Sequence, residues 1–484
     1  MAPSTSQIED DQSYARSASG ALALRFESGA FWLMIVLVAW APFPLGSNRP
    51  WAWTLLVFGA VAAMLIWVAA KWKKPASALA HLRPLAGPIA LGSLALVWGL
   101  VQITPLVPAS WAHPVWVIAA DALGHPLPAT ISINPWRTGT ELMKLAVYGI
   151  VVLLTAQLAR RAERAAILLA ALVAIGAFYG AYSVGLGLAQ TSQYQLLYPS
   201  VGYDTGFITG PFVLHNSFAT FMGLLALCAL AKLFSQGHET IMVGRGIRQF
   251  LLTLVQFVFG RGVWLVVAVL LIVSMLITTA SRAGTLASLV GLFTLLVLSS
   301  MIAGQRSTTR WAYAGILAIG LITIILFLVN GDSLQERFNQ LVEAGGIDEI
   351  RQALWASAER MIGDAPWLGL GLGSFENAYP MYADKVYPFV MDKVHNDYLE
   401  LAAGWGLPAA IAWASAIGWC ALLCVRGVFV RRRHRIYPLI AAGATALIAF
   451  HSAFDFSLQI PAVALTYAVI LGMGLAQAFP TRTA

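Results

Sequence analysis

Apolar runs of membrane-crossing length recur along most of the 484-residue chain, and no other feature limits its folding options as far. They fall at Phe31–Leu45, Trp51–Ala70, Leu85–Ile103, Leu142–Leu158, Ala165–Leu188, Phe212–Phe234, Val263–Ala280, Leu286–Ile302, Trp311–Val329, Leu407–Val425, Tyr437–Phe450 and Ala462–Phe479. A helix that crosses a bilayer core needs about 20 mostly apolar residues. The sequence therefore reads as an all-α polytopic membrane protein of about 12 transmembrane helices. The first run ends at Pro42 and Pro44, so its helix is expected to begin within Ala21–Ala30. Composition agrees, with 59% apolar and only 11% charged residues. Soluble domains carry roughly 25% charge, so an aqueous enzyme is excluded as the main body. Disorder, which requires low hydrophobicity, is excluded too.

The net charge of +8 does not point to nucleic acid once the basic residues are located. An even number of spans puts both termini on one side. If that side is the cytoplasm, it receives 21 of the 30 Lys and Arg, including Lys71, Arg160, Arg161, Arg164 and Arg431–Arg433. This is the distribution expected of cytoplasmic loops. The expected division is an N-terminal tail at 1–28, helices one to nine over 29–329, an outer loop domain at 330–395, helices ten to twelve over 396–479 and a C-terminal tail at 480–484. Cys228, Cys420 and Cys424 lie in apolar runs and read as small core-packing residues.

The long loop looks folded. Ser333 and Glu336 form a capping box, followed by Leu334, Phe338, Leu341 and Val342 at helical spacing. A second helix is expected over Asp348–Ile362, with Ile350, Leu354, Ala358 and Met361 on one face. Polar groups at the outer boundary are the informative ones in so apolar a chain. Arg282 sits in a tight outer turn, where an arginine either snorkels to lipid headgroups or presents a planar fork of donors to a phosphate. Arg337 and Arg351 lie in the two loop helices, as solvated charges or as partners of Arg282. His395 opens the segment that re-enters the membrane. There it either caps a helix or acts as a base, since imidazole accepts protons near neutrality. The same segment supplies Asp397 and Glu400. His215 and Asn216 open the sixth span, and His451 and Asp455 lie between the last two. These groups could hold substrate hydroxyls or satisfy one another.

Gly369-Leu-Gly-Leu-Gly-Ser-Phe375 reads as a turn, with no βαβ unit around it. No P-loop, HExxH motif or Gly-x-Ser-x-Gly elbow occurs. The outer histidines are too scattered for a convincing metal site. The expectation is chemistry without a metal or other cofactor, with basic residues meeting an anion.

In the stretches Gly46–Trp51, Gly210–Asn216, Ser281-Arg282, Pro366–Gly373, His395–Leu407 and His451–Pro461, the chain resembles the bacterial O-antigen ligase/O-antigen polymerase superfamily of lipid-linked oligosaccharide transferases. The resemblance implies a GT-C-like architecture in the bacterial inner membrane with a large periplasmic loop before the tenth helix. It implies an undecaprenyl-diphosphate-linked oligosaccharide donor used at the periplasmic face. His395 would take the acceptor proton, and Arg282 and Arg351 would hold the diphosphate. Arg337, His215, Asn216, Asp397, Glu400, His451 and Asp455 would line the substrate site. The ending His451–Pro461 is similar to exopolysaccharide polymerases, which favours a polymerase joining repeat units, with a chain-length regulator as its partner. The alternatives are a ligase using lipid A-core as acceptor, and a lipid-glycan flippase or transporter. Membrane lipids are partners in every case, and nucleic acid in none.

Overall fold

A computed structural model of the protein describes residues 18–73, 75–76, 82–199, 207–241, 260, 262–302, 347–385, 387 and 390–479. The described residues are helical, without strands. Helices α1 (Ala18–Trp40), α2 (Pro50–Lys71) and α3 (Ala86–Ile103) open the chain. Short α4 (Val115–Leu123) leads to α5 (Pro135–Leu158) and α6 (Ala162–Leu188). A one-turn α7 (Gln193–Leu197) precedes α8 (His215–Ile241), α9 (Val263–Thr278) and α10 (Arg282–Ile302). After α11 (Ile347–Asp364), α12 (Phe375–Tyr382) and α13 (Asp397–Trp405), the chain closes with α14 (Leu407–Val430), α15 (Ile436–His451) and α16 (Pro461–Ala478).

Nine described helices are long and apolar enough to cross a membrane, and the shorter α9 and α15 are apolar as well. Together they account for eleven of the twelve expected runs. The other run, Trp311–Val329, the first loop helix and Arg337 lie outside the described residues. Residues 18–28, assigned to the tail from sequence, are already part of α1. There Glu27 pairs with Lys71 and with Arg164, 3.3 Å away, joining α1, α2 and α6 at the face opposite His395.

Helix starts follow simple chemistry. Pro50, Pro135 and Pro461 occupy the first helical turn, where a missing N–H costs nothing. The most enclosed spans are α16, with 94% of its apolar window buried, and α8, with 78%. Because the polar site is built at the ends of these central helices, it rests on rigid packing.

On the His395 face, α11 packs Leu354, Ala358 and Met361 onto Phe375, Ala378, Val394 and Ala403, forming a small core separate from the membrane bundle. The Gly369–Gly373 turn runs beneath it. Gly369, Gly371 and Gly373 all have positive φ, at +69°, +102° and +72°, which side-chain-bearing residues rarely adopt. Fully buried Gln102, at the end of α3, donates to the Leu368 and Gly404 carbonyls at 2.7 and 2.9 Å. The turn also pairs with α13 through the Leu370 and Gly371 amides, each 2.9 Å from its acceptor. These bonds hold the helix that positions His395.

Candidate functional site

Asn396 caps α13, its side-chain oxygen accepting from the Tyr398 and Leu399 amides at 3.0 and 3.1 Å. His395, just before the cap, adopts φ +57°. This left-handed conformation costs a non-glycine residue about 1–3 kcal/mol and needs firm surroundings. They come from the turn after α15: Asn396 donates to the Ala453 carbonyl at 3.0 Å, and the Asp397 amide to the Ser452 carbonyl at 2.8 Å. The imidazole also meets the Phe456 ring edge-on, with centroids 4.8 Å apart.

The His395 Nδ1 lies 3.1 Å from Asp455 Oδ1, and the imidazole is partly exposed while Asp455 is buried. Asp455 accepts two further bonds, from the Phe456 amide at 2.9 Å and from Asn216 Nδ2 at 2.6 Å. Burial alone would push its carboxyl up. The His395 bond and charge, His451 and the Phe456 amide outweigh burial and hold it at about 2. At neutral pH Asp455 is therefore ionised and can only accept. In the neutral imidazole, the proton facing this acceptor sits on Nδ1 and leaves Nε2 as the basic nitrogen.

The network continues into the bundle. Asn216 Oδ1 accepts from Ser281 Oγ at 2.8 Å, and Ser281 Oγ accepts from the Gly284 amide at 3.1 Å, capping α10. The next residue is Arg282, exposed at the first position of that helix. A continuous relay thus links His395, Asp455, Asn216 and Ser281, drawn from four chain segments. His215 stacks on Phe207 at 4.5 Å and donates through Nδ1 to the Thr279 carbonyl at 2.9 Å. His451 is 1% exposed, beside Asp455, and neither ring nitrogen has a hydrogen-bond partner among the described residues. Arg351, on α11, lies close enough for its charge to act on both His215 and His451.

Asp397 and Glu400 are buried on the other side of the His395 turn. Asp397 accepts from Ser452 Oγ at 2.8 Å and Gln459 Nε2 at 3.0 Å. Burial, with Glu400 and Asp455 nearby, overrides those bonds and raises its carboxyl to about 7. Glu400 accepts from the Val394 amide at 2.9 Å and from Lys393 at 3.3 Å, and Lys393 also donates to Gln459. Both carboxylates, with Gln459 and Glu141, edge a cavity of about 410 Å³ between α3, α5, α14 and α16. Its remaining wall is almost entirely apolar, including Leu145, Ile417 and Leu471. Lys393, Gln459, Ser281 and Ser452 were given no site role from sequence, although the last three fall in the stretches Ser281-Arg282 and His451–Pro461. Lys393 had no sequence signal beyond its proximity to His395.

Among the described residues, no three His, Cys, Asp or Glu side chains converge as a metal site. No curated protein matches the chain. Residues 266–414 match the family model described as O-antigen ligase, a segment containing Arg282, Arg351 and His395. The resemblance seen in the sequence is thereby borne out over this segment: residues 266–414 of this helical membrane protein are similar to the O-antigen ligase family.

Proposed function

We propose that the protein transfers glycan from an undecaprenyl-diphosphate donor at the periplasmic face of the bacterial inner membrane, most simply as a polymerase joining repeat units. The observation that carries this reading is the His395–Asp455–Asn216–Ser281 relay, ending beside Arg282 with Arg351 close by. In this scheme, His395 Nε2 takes the proton of the acceptor hydroxyl. The acceptor oxygen forms a bond to the donor's anomeric carbon as the bond from that carbon to the diphosphate oxygen breaks. The electron pair leaves with the diphosphate.

Arg282 and Arg351 stabilise that growing charge, and one well-aimed donor contributes about 3–4 kcal/mol. Single displacement inverts the anomeric centre. The apolar cavity accommodates hydrocarbon of a lipid substrate. The full reading includes 12 spans, a GT-C-like arrangement and cytoplasmic termini, with Arg337, His215, His451, Asp397 and Glu400 as further substrate-site residues. Polymerase is preferred to ligase through the His451–Pro461 ending.

Purified protein with a lipid-linked glycan should release undecaprenyl diphosphate and yield an extended, inverted product. Transfer only when lipid A-core is supplied would establish the ligase alternative. Translocation without bond formation would establish a flippase and refute the transferase reading.

A further inference from the structure

Arg49, in the Gly46–Trp51 stretch, is not used by the site described above. It lies on the same face of the bundle as His395. Gly46, at φ +66°, packs so tightly that a Cβ there would lie 2.6 Å from Phe212 and 3.0 Å from Ile460, next to the segments bearing Asn216 and Asp455. The Arg49 guanidinium carbon sits 5.6 Å from the Tyr194 ring centroid and 5.4 Å from that of Tyr198. The two rings are themselves 5.3 Å apart, so the three groups form a near-equilateral triangle.

This aromatic seat is anchored at several points. Ser192 and Gln195 form a reciprocal capping box on α7, and Gln193 Nε2 donates to the Phe43 carbonyl at 3.0 Å. Among the described residues Arg49 has no carboxylate partner, and its buried Nε has no acceptor. Arg137, Lys144, Arg360 and Lys393 on the same face each have an acidic partner. Beside Arg49, Trp51 is half exposed and pairs with Trp40 at 6.3 Å. Tryptophans of this kind mark headgroup depth in a membrane. A cation fixed there on aromatic rings offers a planar fork of donors suited to phosphate oxygens.

We propose that Arg49, seated on Tyr194 and Tyr198, is a second phosphate-binding point and takes the phosphate-bearing headgroup of the acceptor lipid. This rests on the transferase reading, in which Arg282 and Arg351 hold the donor diphosphate and a membrane-anchored acceptor must be held alongside it. No bond is made or broken at Arg49.

The test titrates farnesyl diphosphate into full-length protein in phosphatidylcholine nanodiscs and counts binding sites. The expected result is two sites in wild type. Arg49→Gln removes one of them, and Arg282→Gln/Arg351→Gln removes the other. Arg49→Lys, which keeps the charge and loses the fork, weakens its site by about tenfold. It also serves as the second variant should Arg49→Gln fail to fold. An unchanged site count in folded Arg49→Gln, or an unchanged affinity in folded Arg49→Lys, overturns the proposal. If Arg282→Gln/Arg351→Gln leaves both sites intact while Arg49→Gln removes one, the Arg49 site stands and the donor role of the other arginines fails. No binding in wild type overturns both. Equal competition by inorganic diphosphate identifies a free-anion site and overturns assignment to a lipid headgroup.

Discussion

At His395 the chain tolerates a left-handed backbone and places a carboxylate behind the imidazole, and the second feature selects Nε2 as the basic nitrogen of the neutral ring. Asparagine accepts the same backbone region more readily than most residues, and its amide could still donate to Asp455. His395→Asn should therefore leave the thermal midpoint within a few degrees of wild type while lowering kcat by about 10²-fold or more, the usual contribution of a positioned base. A near-normal kcat would remove His395 from the mechanism. Asp397 makes a separate prediction. Its folded value of about 7 lies above the ordinary 3.8, so its contribution favours the fold fully below about pH 4 and is lost as pH rises through 7. Thermal midpoints measured from pH 4 to pH 8 should fall in wild type and flatten in Asp397→Asn. Parallel curves would show that Asp397 does not titrate in this range.

Single elements carry the strain that positions the site. The glycine-rich turn was legible as a turn because Gly369, Gly371 and Gly373 alternate in sequence, and their positive φ values supply the reason. Its seam to Gln102 was not legible, since 302 residues separate Gln102 from Gly404. Gln102→Leu strands the Leu368 carbonyl and leaves the Gly404 carbonyl with the Gly371 amide alone, and should cost about 1–3 kcal/mol in unfolding free energy. Gly371→Ala adds a Cβ 2.2 Å from Ser132 Oγ at φ +102° and should destabilise the fold by a comparable amount. Equilibrium denaturation checks both, and wild-type stability in either would show that the seam is dispensable. The amphipathic helix expected over Asp348–Ile362 was legible because its Leu354, Ala358 and Met361 stripe faces a core. Arg351 could be placed on that helix from sequence, but its approach to His215 and His451 depends on folding across the bundle.

Across the whole molecule, the spans were legible because a bilayer demands length and apolarity that few other environments require. The relay was not, because Asn216 and Asp455 lie 239 residues apart and meet only when α8 and the α15–α16 connection pack together. The cavity was equally hidden, for it belongs to four helices and to no single run. Gly149 lines that cavity, and a Cβ added there meets nothing within 4 Å. Gly149→Phe should therefore fold, fill the space, and slow transfer from a long-chain donor more than from a short-chain analogue. Equal slowing of both would separate the cavity from lipid binding.

The claim that Asp455 orients His395 as the base is tested most directly by the rate of carrier-diphosphate release in His395→Asn, Asp455→Asn and the double variant. If Asp455 acts through His395, the double variant should be no slower than His395→Asn alone, because residues that act as a unit are non-additive. Multiplied losses in the double variant, or a wild-type rate in His395→Asn, would contradict the account.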